Sequence, residues 1–177
     1  LKEGIEGDIE DMNSIIDQFI DYIRHDSKDK AELDDINKLI DEVVQSESIL
    51  DREIVFNAEH LPNIPLRYVA MKRAVANLIQ NALRYSQGKV TVTTYYDKDK
   101  QEVCFCVLDE GPGIPELDIE RLFQPFTQGD QARGTEGSGL GLAIIKRIVD
   151  THSGRVELSN RKEGGLKAQV CLPISHD

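Results

Sequence analysis

Apolar residues along the chain change period several times, and each change marks an element. Over 5–23 the positions Ile5, Ile9, Met12, Ile16, Phe19 and Ile23 recur at spacings of four, three, four, three and four, the narrow stripe of a coiled-coil or bundle helix. Such a helix either lies on its own domain or, as the strictly heptad seam favours, packs on a partner helix or chain. The polar run 24–30, Arg-His-Asp-Ser-Lys-Asp-Lys, reads as a linker that divides the chain into 1–30 and 31–177. Helical period returns over 33–50 through Ile36, Leu39, Ile40, Val43 and Val44, with Asp34 and Asp35 suited to its N-terminus. A strand is expected at 53–58, an irregular connection from Leu61 to Pro65, and a second helix over 69–85.

The β-rich runs 89–96 and 102–108, joined by Asp-Lys-Asp-Lys, predict an antiparallel hairpin. In the second run Val103, Phe105 and Val107 alternate with Cys104, Cys106 and Leu108, so both faces are apolar and the strand belongs in the middle of a sheet. Further on, 115–123 predicts a short helix, 124–138 a polar, glycine-containing lid, and 140–151 a helix opening directly out of glycines. Two strands, 155–160 and 166–172, close the chain. The whole predicts an α/β sandwich: one mixed, mostly antiparallel sheet covered by helices, preceded by one long amphipathic helix.

Composition narrows the partners. A length of 177 residues with 40% hydrophobic and 30% charged positions fits a globular chain, and no apolar run approaches the roughly 18 residues of a membrane span. The net charge of −11 repels nucleic acid and anionic lipid, although a local set of amides and arginines still binds phosphate. Cys104, Cys106 and Cys171 are odd in number and lie in apolar alternating runs, so they read as small buried hydrophobes in a reducing compartment, not as a disulfide framework or zinc site. A start at Leu1, without Met or a signal-like segment, reads as a piece of something longer.

Three clusters carry candidate chemistry. The helix over 69–85 bears Arg73, Asn77, Asn81 and Arg84 beside the apolar row Val75, Leu78, Ile79 and Ala82. This is either a solvated stripe or a set in which Asn81 offers an amide oxygen to magnesium, Arg84 reaches phosphate and Tyr85 lies on a base. Asp109-Glu-Gly-Pro-Gly-Ile at 109–114 follows the central strand. It is either a tight turn or a carboxylate placed for an exocyclic amine such as adenine's, with Gly111 and Gly113 letting a ring approach the backbone. Gly-Ser-Gly-Leu-Gly at 137–141 opens a helix, where successive amides converge on phosphate. No G-x-x-x-x-G-K-[ST] occurs, a dinucleotide fingerprint is unsupported, and the protein-kinase signatures are missing.

Taken together, 77–85, 109–114, Leu-Phe-Gln-Pro-Phe at 122–126 and 137–144 resemble, in order, the N box, first glycine box, F box and second glycine box of sensor histidine kinases. Stretches 15–24 and 72–77 resemble osmosensing members in particular. The resemblance implies the Bergerat ATP-binding fold shared with gyrase, Hsp90 and MutL, with ATP and Mg2+ bound between the Asn helix and the lid. By position, Asn81 resembles the magnesium ligand, Arg84 a phosphate contact, Tyr85 an adenine neighbour and Asp109 the adenine-amine acceptor. Gly111, Gly113 and Ile114 match the first glycine box, Gln128 and Gly129 the lid, and Ser138, Gly139, Leu140, Gly141 and Leu142 the phosphate loop. The 5–23 helix resembles the second helix of a dimerisation hairpin.

Asn77 stands where ATPases of this fold have a Glu as base for water, so the pocket is expected to bind ATP with little hydrolysis. None of His25, His60, His152 and His176 sits in the family's acceptor context, so the resemblance places the phosphoacceptor His outside this chain. The implied partners are the dimerisation and acceptor helices of the same kinase, arranged as a homodimer, and the receiver domain of a response regulator. The implied location is the cytoplasmic part of a bacterial inner-membrane protein. Two other readings stay open: a nucleotide-binding module without transfer activity, and an ATPase of the same fold.

Overall fold

The computed structural model describes residues 2–23, 30–48, 52–124 and 141–175. The heptad pattern forms helix α1, Lys2–Ile23, which touches the later helix α5 (Gly141–Thr151) yet leaves Ile5, Ile9, Met12, Ile16 and Ile20 between 42% and 60% exposed. The side chains of Phe19 and Ile23 and the linker 24–29 lie outside the described residues.

The next helix begins later than its periodicity predicts. Leu33 and Asp34 belong to a short strand β1, Glu32–Asp34, paired antiparallel with β3, Ile64–Leu66, inside the stretch expected to be irregular. Helix α2, Ile36–Glu47, starts at Asp35, whose carboxylate accepts the Asn37 N–H at 2.9 Å. Its buried face, Ile36, Leu39, Ile40, Val43 and Val44, is the row the sequence shows.

The main sheet has the order β2-β4-β5-β7-β6. Its members are β2 (Ile54–Asn57), β4 (Val90–Asp97), β5 (Glu102–Leu108), β7 (Leu166–Pro173) and β6 (Arg155–Asn160). Only the β2–β4 pair is parallel; β5 is central, as its two apolar faces require. Val90, Val92, Val103, Phe105, Val107, Val170 and Leu172 face α2, α3 (Tyr68–Tyr85) and α5 in one core. Between β5 and α5 come a short helix α4, Glu116–Ile119, and a 3-10 turn, Arg121–Phe123.

One expectation is corrected on the opposite face of the sheet. Cys104 and Cys171 stand directly across β5 and β7, with Cα atoms 4.1 Å apart, and form a disulfide, while Cys106 is free and buried. Cysteine parity carries no information about cross-strand register, and it is the register that brings this pair together across 67 residues of sequence. Burial pushes the Cys106 thiol up, which makes it a poor nucleophile toward its neighbour. Alkylation of the unfolded, unreduced chain should therefore modify Cys106 alone, and reduction should lower stability by roughly 2–4 kcal/mol in thermal unfolding. Uptake of alkyl groups at Cys104 and Cys171 without reductant would contradict the pairing.

Candidate functional site

Helix α3 forms because Met71, Ala74, Val75, Leu78, Ile79 and Ala82 make one continuous apolar face, all of it buried. Its flank carries Asn77 and Asn81, both half-buried, and the exposed Arg84, so the polar row lies at the edge of the core and not across the solvent side. The N-terminus of α3 has no side-chain cap of its own. Instead His152, 1% exposed just beyond α5, accepts the Arg67 N–H through Nε2 at 2.9 Å. Its Nδ1 lies 2.8 Å from the Ile148 carbonyl, which assigns the ring proton to Nδ1.

The C-terminal half of α3 meets both glycine motifs. A β-carbon on Gly141, the first residue of α5, would stand 3.6 Å from Asn81 Nδ2, so the Asn amide lies beside the start of that helix. One turn on, a β-carbon on Gly111 would stand 2.7 Å from the Tyr85 carbonyl oxygen. Gly111 is therefore required by the close approach of the α3 backbone. Beyond the helix, the buried Ser86 hydroxyl accepts the Glu110 N–H at 3.2 Å, and the Ser86 carbonyl accepts from Arg52 at 2.6 Å.

Asp109, 6% exposed, continues β5. Its Oδ1 accepts two backbone N–H groups, Gly111 at 2.9 Å and Leu166 at 3.0 Å. Among the described residues Oδ2 accepts no hydrogen bond, so the side chain is oriented by one oxygen and keeps the other for a donor. Ile114 and Gly113 are half-buried beside it, and Tyr85 is 39% exposed. Leu142 packs against the core. Gln128, Gly129, Ser138, Gly139 and Leu140 lie outside the described residues, as does Phe126 of the F box. The structure thus brings Asn81, Gly141, Tyr85, Gly111 and Asp109 to one end of α3.

Sequence reasoning missed Ser86, Asn160 and Arg161, which fasten the Asp109 loop and belong to no motif. Among the described residues one group of metal-ligating side chains lies close together, Glu102 with Cys104 and Cys171, and the two cysteines are joined to each other.

Residues 67–176 match the family described as Histidine kinase-, DNA gyrase B-, and HSP90-like ATPase. The sensor histidine kinase CpxA of Escherichia coli (strain K12) is 40% identical over 107 residues, 59% of this chain and 23% of CpxA. The full-length ShkA structure in complex with AMPPNP superposes with a TM-score of 0.79 at 25% identity, covering 93% of this chain and 36% of that one. The histidine kinase domain of the E. coli osmosensor EnvZ has a TM-score of 0.67 at 38% identity, covering 86% of this chain and 94% of that one. Identities of similar size to CpxA and EnvZ show the family without singling out its osmosensing member. The chain spans about a quarter to a third of the length of CpxA and ShkA, 23% and 36%. Fold, ordered motifs and relatives agree: the chain belongs to the histidine kinase-, DNA gyrase B- and HSP90-like ATPase family, as the ATP-binding catalytic domain of a sensor histidine kinase.

Proposed function

We propose that this domain holds magnesium-ATP so that its γ-phosphate passes to an acceptor His outside this sequence, for relay to the Asp of a response-regulator receiver domain. The observation that carries this reading is the contact of one helix, α3, with both glycine motifs, at Gly141 through Asn81 and at Gly111 through the Tyr85 carbonyl. Asp109 Oδ2 would accept the adenine amine, Ile114 and Tyr85 would flank the ring, and Arg84 would reach phosphate. Asn81 fits a magnesium site because its neutral amide oxygen is a hard donor near the α5 N-terminus, an end that favours anionic phosphate; the ion when bound would supply charge neutralisation on the phosphates. Gln128, Gly129, Ser138, Gly139 and Leu140 join the lid and phosphate loop on their motifs alone.

Asn77 accepts no proton, so water in the pocket has no base there, and the catalysis left to the domain is placement of the nucleotide for in-line attack. The acceptor is not His152, whose two ring nitrogens are both engaged in the interior. The exposed stripe of α1 supports packing on the acceptor-bearing helix of a dimerisation hairpin, and through it a homodimer. No described helix is long and apolar enough to cross a membrane. Placement on the cytoplasmic side of a bacterial inner membrane is supported by the family resemblance.

Incubation with γ-labelled ATP tests the reading. The chain alone should stay unlabelled, while an added hairpin carrying the acceptor His takes up label. An unlabelled hairpin in the presence of bound ATP would favour a binding module without transfer, and steady ADP release without any hairpin would favour an ATPase.

A further inference from the structure

Strands β6 and β7, with the turn 161–165 between them, form a hairpin that belongs to none of the four boxes, yet the loop carrying Gly111, Gly113 and Ile114 is fastened to it. Asn160 Oδ1 accepts the Ile114 N–H at 2.8 Å, and Asn160 Nδ2 donates to the Ile114 carbonyl at 2.6 Å. A single side-chain amide thereby satisfies both backbone groups of one residue, as a neighbouring strand would. Among the described residues these are the hydrogen bonds that hold the Ile114 main chain. Gly113 has φ +76°, and a β-carbon there would stand 2.6 Å from Asn160 Oδ1, so the bare backbone at 113 is what lets the amide reach Ile114.

The same hairpin grips the base of the loop. Arg161 Nη1 donates to the Asp109 carbonyl at 2.6 Å, and Leu166 both accepts the Asp109 N–H and donates to its Oδ1, each at 3.0 Å. A cleft of about 290 Å³ lies between the loop and the turn, lined by Pro112, Ile114, Pro115, Asn160 and Arg161 among others. The loop is therefore tied to this hairpin at Asp109 and at Ile114, and the cleft opens beside Pro112 and Pro115.

We propose that Asn160 is a positioning residue for the nucleobase. It sets the pose of Ile114 relative to Asp109, so that the apolar side chain and the amine acceptor meet the same purine ring. The inference rests on the reading that Asp109 and Ile114 receive the base. It predicts a loss confined to the base and absent from the phosphates.

Calorimetry of wild type, N160A and N160D with ATP and with inorganic triphosphate, both with magnesium, decides it. N160A should weaken ATP about 10-fold, the effect of two lost hydrogen bonds, with triphosphate affinity unchanged. N160D is isosteric but only accepts, so it should not restore ATP affinity to the wild-type value; full restoration would make Asn160 a packing residue and overturn the proposal. Equal losses for ATP and triphosphate, or unchanged ATP affinity in N160A, would overturn it as well. Should wild type bind triphosphate as tightly as ATP, the nucleobase pocket falls and the positioning role with it. Amide exchange supplies a test without ligand: Ile114 N–H should exchange faster in N160A than in wild type, and equal protection would refute the tie.

Discussion

Asp109→Asn is expected to lower affinity for ATP about 100-fold while shifting preference toward inosine triphosphate, with little change in folding stability. The Asp carboxylate is oriented by two backbone donors, Gly111 and Leu166, that both reach Oδ1. An Asn at 109 must keep its carbonyl oxygen on those donors, because turning the amide over would set NH2 against two N–H groups. Its NH2 then occupies the Oδ2 position, where a donor meets the donating amine of adenine. A buried mismatch of this kind costs about 1–3 kcal/mol, and a site built around a specific hydrogen bond discriminates at least this strongly. Inosine presents a carbonyl at the same ring position, so the substitution converts a clash into a bond. Competition between ATP and inosine triphosphate for a fluorescent nucleotide measures the ratio. An unchanged ratio would remove Asp109 from the base-recognition role.

The largest effect on stability is expected at His152, far from any nucleotide contact proposed above. His152→Ala opens a cavity in the interior and leaves the Arg67 N–H without the acceptor that His152 Nε2 supplies. Cavity formation and the unpaired backbone donor together cost about 3–4 kcal/mol, a fall in Tm of roughly 10 °C for a chain of this size. Thermal unfolding by circular dichroism measures it, and a destabilisation under about 1 kcal/mol would show that the imidazole does not tie α5 to α3. His152→Gln should recover part of the loss, since its amide oxygen also accepts from Arg67.

These residues show where reading a sequence succeeds and where it stops. The buried rows of α2 and α3 and the central place of β5 were legible because burial imposes a period on neighbouring residues. Strands β1 and β3 were not: each has three residues, one contains Pro65, and Leu33 is 69% exposed, so no alternation could develop. Asp109 and Gly111 were legible as candidates because a carboxylate and glycines cluster at a strand end, and Asn81 because it recurs with Arg73, Asn77 and Arg84 at helical spacing. Ser86, Asn160 and the Cys104–Cys171 pair act through partners 24, 46 and 67 positions away, and a local pattern holds no trace of such pairings.

One helix contacting both glycine motifs makes α3 a ruler. Asn81 beside Gly141 and the Tyr85 carbonyl against Gly111 are four residues apart, about 6 Å of axial rise at 1.5 Å per residue. The distance between the start of α5 and the Asp109 loop is thereby graduated in helical turns, and adding or removing a residue between 81 and 85 would swing one mark by about 100° off its target. The spacing of the two glycine motifs is thus gauged by the pitch of a single helix, which loop sequence can vary around but cannot rescale.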